Sequence, residues 1–264
     1  MLETSIIDNG PKKLRTQYAT STNLDARLAL HERFSRHPQG WHPWVFDQYD
    51  FASEYRILEL GCGAAYQWKG ENRERIDATW RVTLTDYSMG MLTTAREATL
   101  DLGFTYANIN AMALPYPDHS FDRVIANHML YHVPDRPVAF REIARVLRPG
   151  GKLFAGTNSV TSMAGLGDLT KQAEPEAFEK GGARPFTLEN GSDQLSPWFA
   201  DVHIEPYDDG LDITEIDPLV DYVRSADRMS EAGLARFADI TRSILEHKGV
   251  ISIDKRGCLF ICTV

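Results

Sequence analysis

The chain has 264 residues, 43% of them hydrophobic and 25% charged, the profile of a globular enzyme built from one domain and an elaboration of it. Its formal net charge of -9 offers no broad basic face for a phosphate backbone, so nucleic acid is not an expected partner. Three cysteines, Cys62, Cys258 and Cys262, are too few and too unevenly spaced for a zinc site or a disulfide framework, so no metal is expected and a reducing compartment is. No apolar stretch approaches the roughly 18 residues of a membrane helix, and MLETSIIDNGPKKLR lacks the apolar core of a signal peptide, so the expectation is a cytoplasmic protein with no membrane partner.

In chain order, residues 1–54 are expected to form an N-terminal helical cap. It contains the helix NLDARLALHERFS and the segment WHPWVFDQYDF, whose aromatics should cover one end of a sheet. From residue 55 short apolar runs alternate with helical patterns, the rhythm of a mostly parallel, doubly wound sheet. YRILEL is the first strand and WRVTLTD (80–86) the second; SMGMLTTAREATLDL follows as a helix behind Ser88 as N-cap. GFTYANIN is the third strand and FDRVIANHML (121–130) the fourth. DRPVAFREIARVL is an amphipathic helix stopped by Pro149 and Gly150, and GKLFAGTN is the fifth strand, completing a core over 55–157. Residues 158–198 are polar, glycine-punctuated and too long for an ordinary connection, which suggests a lid. WFADVHIEPY, LDITEI and KGVISIDKRGCLFICTV then return as strands, with helices over about 216–247, so that 199–264 complete the sheet.

The first strand runs into Glu59-Leu60-Gly61-Cys62-Gly63. A pyrophosphate loop continues G-x-G-x-x-G, and its last glycine would fall on Tyr66, which argues against a dinucleotide. Asp86, about 20 residues on at the end of the second strand, stands where a carboxylate accepts ribose hydroxyls. Asn110-Ala111 suits an adenine edge, and Asn127-His128 closes the fourth strand. All four features sit at the C-terminal strand ends, where such a sheet places its ligand crevice, and an adenosine without pyrophosphate satisfies them together. A simple N-cap at Asp86 and a turn at Asn110 are the bland alternatives.

ILELGCG, LTDYSMGML, INAMALPYPDHSFDRVIANHMLYHVPD and REIARVLRPGGKL, in that order and spacing, resemble the motifs of class I S-adenosylmethionine (SAM) dependent methyltransferases of the small-molecule, ubiquinone-biosynthesis-like branch. The resemblance implies a seven-stranded Rossmann-like sheet and S-adenosyl-L-methionine as cofactor. It sets Gly61 and Gly63 against the methionine part, Asp86 on the ribose, Tyr87 and Met91 beside the adenine, Asn110 and Ala111 at its exocyclic amine, and Asn127 near the methionine end. Glu59 would fasten the loop or a water beneath the cofactor. Family members usually read G-x-G-x-G, whereas the fifth place here is Ala65; its methyl is compatible with a negative φ but would narrow the space beside the methionyl chain. Tyr66 would then face the cleft and offer its ring to the sulfonium by a cation–π contact of roughly 0.5–2 kcal/mol.

The expected reaction is methyl transfer to oxygen, nitrogen or carbon of a small-molecule substrate. His128, Tyr131 and His132 are the candidate catalytic residues, either histidine serving as base for a protonated acceptor. Packing under the loop is the alternative for both, and Trp41, Trp44 and Trp68 read as core or lid hydrophobes. Tyr18, Arg27 and His31 are candidates to close over the methionine carboxylate or the acceptor, with packing or surface pairing as the alternative. Two other functions stay open. One is a SAM-consuming cyclase that makes azetidine-2-carboxylate and methylthioadenosine, for which Ala65 and Tyr66 would crowd the methionyl end; the other is a non-catalytic adenosine-binding module. An NAD-dependent reductase of the short-chain type fits more poorly still, because Tyr66 stands at the pyrophosphate site and no Tyr-x-x-x-Lys pair occurs in the chain.

Overall fold

The computed structural model describes residues 22–176 and 185–264. Its sheet has seven strands in the order β3-β2-β1-β4-β5-β7-β6. β1 (Arg56–Leu60), β2 (Arg81–Asp86), β3 (Thr105–Asn108), β4 (Phe121–Ile125) and β5 (Leu147–Asn158) run parallel. β7 (Ile251–Thr263) enters antiparallel between β5 and the edge strand β6 (Asp201–Ile213). The order reverses between β1 and β4, and at this switch point the diverging connections leave a crevice above the strand ends.

Buried strands place successive side chains on opposite faces, and β1 shows it. Leu58 and Leu60 join Val124, Phe140, Ile143 and Phe260 in one core cluster, while Ile57 packs with Trp68, Val82, Leu84 and Ile125 in another. The helices follow their caps. Ser88 Oγ accepts from Met91 N at 3.3 Å to start Met89–Ala98, and Asp135 Oδ1 accepts from Val138 N at 3.2 Å to start Arg136–Val146. Helix Trp41–Asp47 brings in the N-terminal aromatics. Tyr49 and Phe51 stack at 4.6 Å and meet Phe154 of β5, so the aromatics cover a face across β5 and β7 rather than an end of the sheet.

Two expected boundaries move, each for a local reason. The fourth strand ends at Ile125 and not at 130, because His128 turns left-handed at φ 54 and a short helical turn follows over Leu130–His132. WFADVHIEPY and LDITEI are one strand: β6 pairs with β7 without a break from Asp201↔Thr263 to Ile213↔Ile251. Its Asp-Asp-Gly reads as a turn, yet Gly210 stays in the ladder and leaves room for Arg36, whose guanidinium would lie 1.6 Å from an added Cβ.

The far half of this β6–β7 ribbon builds a third cluster. Leu211, Ile213, Ile251 and Ile253 pack with Leu30 and Phe34 of helix Thr22–Phe34, Leu166 of helix Ala164–Ala173, Leu219 of helix Ile216–Ser225 and Phe237 of helix Glu231–Lys248. Arg27 fastens the N-terminal helix by donating to Ser225 Oγ at 3.0 Å and Ser225 O at 2.8 Å.

Candidate functional site

The C-terminal ends of β1, β2, β4 and β5 open into one cavity of about 1850 Å³. At the β1 end the chain makes a tight left-handed turn, with Gly61 at φ 66 and Gly63 at φ 54. A Cβ on Gly61 would stand 2.7 Å from Met129 Cβ, so glycine is needed there for space as well as for φ. Cys62 N donates to Thr85 O at 2.9 Å and Gly63 N to Asp86 Oδ2 at 2.9 Å, which ties the turn to β2. The second Asp86 oxygen, Oδ1, accepts from Ser88 N at 2.7 Å. Asp86 is therefore held in place by backbone amides, and a carboxylate offers about four lone-pair sites, so acceptor capacity remains. Burial raises its pKa and these amides oppose the rise.

No α-helix follows the turn. The chain passes into short 3-10 turns over Tyr66–Trp68 and Gly70–Arg75, so no α-helix starts directly behind the glycine turn. The feature that holds a pyrophosphate is missing for a reason beyond the bulk of Tyr66. Beneath the turn Glu59 is 3% exposed and accepts from Trp68 Nε1 at 2.5 Å. Burial, with the Asp86 charge adding to it, lifts the Glu59 pKa to about 7. Trp68 is core.

Two expectations about the glycine loop are corrected. Ala65 does not take a negative φ: it is left-handed at φ 59, and its side chain is fully buried in the core cluster with Phe46 and Trp68, away from the cavity. It does not crowd a methionyl chain. Tyr66 does line the cavity, but Lys69 already places its ammonium 4.5 Å from the ring centroid and the hydroxyl bonds Asp25 of the N-terminal helix. An internal cation takes up the ring's electrostatics, so the tyrosine is a latch between loop and helix.

Tyr87, Met91, Asn110, Ala111 and Asn127 also line the cavity. Asn110 is a turn residue as well: its Oδ1 accepts from Met112 N at 2.9 Å and its carbonyl from Ala113 N at 2.9 Å, so the backbone there is fixed by its own side chain. Asn127 Nδ2 donates to Tyr49 Oη at 2.9 Å, while Oδ1 is buried and makes no hydrogen bond among the described residues. A Cβ on Gly156 would lie 2.8 Å from that oxygen, so the glycine gives the amide its seat.

His128, Tyr131 and His132 come to the same rim. His128 N donates to Gly156 O at 2.9 Å, and its ring lies 4.6 Å from that of Trp41. The His132 ring lies 4.6 Å from that of Tyr131, and burial, with Arg27 nearby, lowers its pKa to about 4, so it is neutral near pH 7. Trp41 lines the cavity too. His31 reaches it from the N-terminal helix, with its pKa lowered to about 3 by burial and by the Lys255 charge. Tyr18 lies outside the described residues. Sequence reading missed the far wall, which Tyr207 on β6 and Lys255 on β7 contribute together with Met163, Leu166, Tyr222 and Met229. No motif marks these residues; only the antiparallel return of the chain brings them to the crevice. Among the described residues no cluster of three His, Cys, Asp or Glu is placed to hold a metal, and no helix is long and apolar enough to cross a membrane.

Residues 58–155 match the family model of a methyltransferase domain. A demethylmenaquinone methyltransferase of Anoxybacillus flavithermus is 27% identical over 202 residues, covering 67% of this chain and 83% of that one. The 27-O-demethylrifamycin SV methyltransferase of Amycolatopsis mediterranei is 40% identical over 118 residues, and the match covers only 42% of each chain. Among solved structures, phosphoethanolamine N-methyltransferase 2 of Haemonchus contortus, in complex with phosphomonomethylethanolamine and S-adenosylhomocysteine, shares the fold at a TM-score of 0.60 and 19% identity, over 98% of this chain and 60% of that one.

Proposed function

We propose that the chain is a class I SAM-dependent methyltransferase of the ubiquinone-biosynthesis-like branch, and that it moves a methyl group to a small-molecule acceptor held at the far end of the same cavity. It is a transferase whose cofactor is S-adenosyl-L-methionine. The observation that carries the proposal is the Asp86 carboxylate, locked by Gly63 N and Ser88 N on the rim of a cavity larger than the roughly 300–1,000 Å³ that one small ligand fills. There is room for two reactants.

The site fits the cofactor residue by residue. Asp86 takes the ribose hydroxyls on its spare lone pairs, Tyr87 and Met91 flank the adenine, and the backbone of Asn110-Ala111 meets its edge. Gly61, Gly63 and the unpaired Asn127 Oδ1 receive the methionine end, and Glu59 holds Trp68 under the turn. When bound, SAM supplies an activated methyl on a sulfonium. The protein's part is alignment: the aromatic and apolar far wall orients the acceptor behind that carbon. For a hydroxyl or ammonium acceptor, His128 or the neutral His132 removes the proton, with Tyr131 beside them; a carbanion or free amine needs neither. Residues 158–198, of which 177–184 lie outside the described residues, are proposed as the lid over this end, between the cap of 1–54, of which 1–21 lie outside them, the core of 55–157 and the closing strands of 199–264, and the cytoplasm as the place of action.

The test is the nucleoside product. Purified protein given SAM with a cell extract is expected to yield S-adenosylhomocysteine, and with SAM alone neither product. Methylthioadenosine without an acceptor would replace methyl transfer with attack on another sulfonium carbon, and tight binding with no product would leave a binding module. His128→Asn keeps a residue that accepts positive φ and is expected to lower single-turnover rates by about 10²-fold or more, with SAM affinity little changed, if the imidazole is the base.

A further inference from the structure

The far wall of the cavity holds a cation that its own neighbours leave underused. Lys255 on β7 lines the cavity with its side chain 12% exposed, and its one hydrogen bond among the described residues runs to Asp209 Oδ2 at 3.3 Å. Asp209 does not depend on it. That carboxylate, itself 0% exposed, accepts from Ser35 Oγ at 2.9 Å on both oxygens, from His37 N at 3.0 Å and from Gly210 N at 2.7 Å. Lys255 is thus the longest contact of a carboxylate satisfied by three shorter donors, and most of its ammonium's donor capacity remains unspent. An ammonium this deeply buried loses its water, and such a loss is tolerable when another anion takes its place.

Two further polar groups lie beside it. The Tyr207 hydroxyl approaches Ser35 and Asp209 but closes a hydrogen bond with neither, and it is buried; the Lys255 ammonium stands 5.4 Å from the same ring. His31 Nδ1 is buried with no hydrogen-bond partner among the described residues, and His31 lines the same cavity, near enough to Lys255 and Asp209 for their charges to act on it. Trp41 joins the far wall to the end of β4, with ring contacts of 4.6 Å to His128 and 5.1 Å to Tyr207.

We propose that Lys255, Tyr207 and His31 form an oxyanion subsite of the acceptor end, so that the acceptor is a small planar molecule bearing an anionic oxygen, either a carboxylate or an ionised phenol, with its ring against Trp41. The proposal rests on the reading of the cavity as a two-reactant site. Lys255 supplies the charge, Tyr207 a hydroxyl donor and His31 a polar nitrogen. The apolar surface of Trp41 and Met163 gives no purchase to a second charge. A charged head held at this wall would orient the rest of the molecule toward His128 and the β4 end.

The probes are matched pairs titrated by calorimetry into protein saturated with S-adenosylhomocysteine: benzoate against benzamide, and 4-nitrophenol in its ionised form against 4-nitroanisole. The expected result is that at least one anion binds about tenfold or more tightly than its neutral partner, that Lys255→Met removes the preference, and that Lys255→Arg keeps it. Preference for benzoate alone identifies a carboxylate, and preference for the nitrophenolate alone an ionised phenol. Equal binding of anion and neutral partner in both pairs, or no binding of any probe, overturns the subsite even when S-adenosylhomocysteine binds normally. Failure of S-adenosylhomocysteine to bind the unaltered protein overturns the underlying reading instead. Because Lys255→Met could unfold the ribbon, the anion preference of the unaltered protein decides the matter by itself.

Discussion

The two ends of the cavity are built on different plans. The proposed adenosyl end is made of backbone: Gly61 and Gly63 in left-handed turns, Asp86 held by backbone amides, Asn110 turning its own chain. Its residues fall within about 50 positions of one another, on consecutive strand ends. The far end is made of side chains brought from remote parts of the chain: His31 from the N-terminal helix, Trp41 from the next, Met163 after β5, Tyr207 from β6 and Lys255 from β7. A backbone site is rigid and recognises one shape, whereas a side-chain site can be rebuilt by substitution without disturbing the strands. That division suits a protein that takes a constant cofactor and a particular acceptor.

The comparison can be broken at several points. Asp86→Ala should have the largest effect. It removes the proposed ribose acceptor and the anchor of Gly63 N, and SAM affinity by calorimetry should fall at least about a hundredfold, at roughly 1.5–3 kcal/mol for each hydrogen bond to a charged group. Unchanged affinity would mean that the backbone end is not the cofactor site. Next comes Glu59→Gln. The native Glu59 pKa of about 7 lies above the ordinary 4.5, so between these values the folded protein keeps a proton that the unfolded chain has released. The contribution of Glu59 to stability is whole below pH 4.5 and is lost as the pH rises through 7. Denaturant unfolding at several pH values should show the native protein losing up to about 3 kcal/mol relative to Glu59→Gln across that window. A parallel pair of curves would place the proton elsewhere.

Gly61→Ala should cost about 1–3 kcal/mol, because the new methyl must displace Met129 and adopt a positive φ. A drop in melting temperature with full SAM affinity in the remaining folded protein would show that the glycine serves packing and not the ligand. The smallest effect belongs to Tyr66→Phe, which removes only the link to Asp25 on the N-terminal helix; about 0.5–1.5 kcal/mol is expected, read as faster hydrogen exchange in the helix Thr22–Phe34. Exchange that stays unchanged would mean that the packing of Leu30 and Phe34 and the bonds of Arg27 to Ser225 hold the helix without that link.

The same division explains what the sequence made legible. Parallel strands buried on both faces read as short apolar runs, and the turns that leave them need glycine or a capping carboxylate at fixed places, so β1 to β5 and the rim at Gly61, Asp86, Asn110 and Asn127 could be located from spacing alone. Tyr66 could be placed, but its partners could not: Lys69 is near in sequence, whereas Asp25 meets it only through tertiary packing. Ala65 departs from the expected negative φ because the backbone of a tight turn, and not its side chain, decides φ there. WFADVHIEPY and LDITEI join as one strand because β7 supplies the ladder across Gly210 and Arg36 occupies the space of the missing Cβ. In ISIDKRG the strand alternation sets Lys255 on the same face as the buried Ile251 and Ile253, but nothing in the sequence marks that this face opens on the crevice.

One detail of β4 carries further. The residue that turns the chain three positions after β4, His128, sits at φ 54, a conformation that Asn, Asp and Gly accept with little penalty and that β-branched side chains resist. A saturation library at this codon should therefore return a narrow alphabet among folded members, rich in those three and nearly empty of Val, Ile and Thr. Any new chemistry evolved at this corner would be drawn from a menu set by the main chain before selection on activity begins.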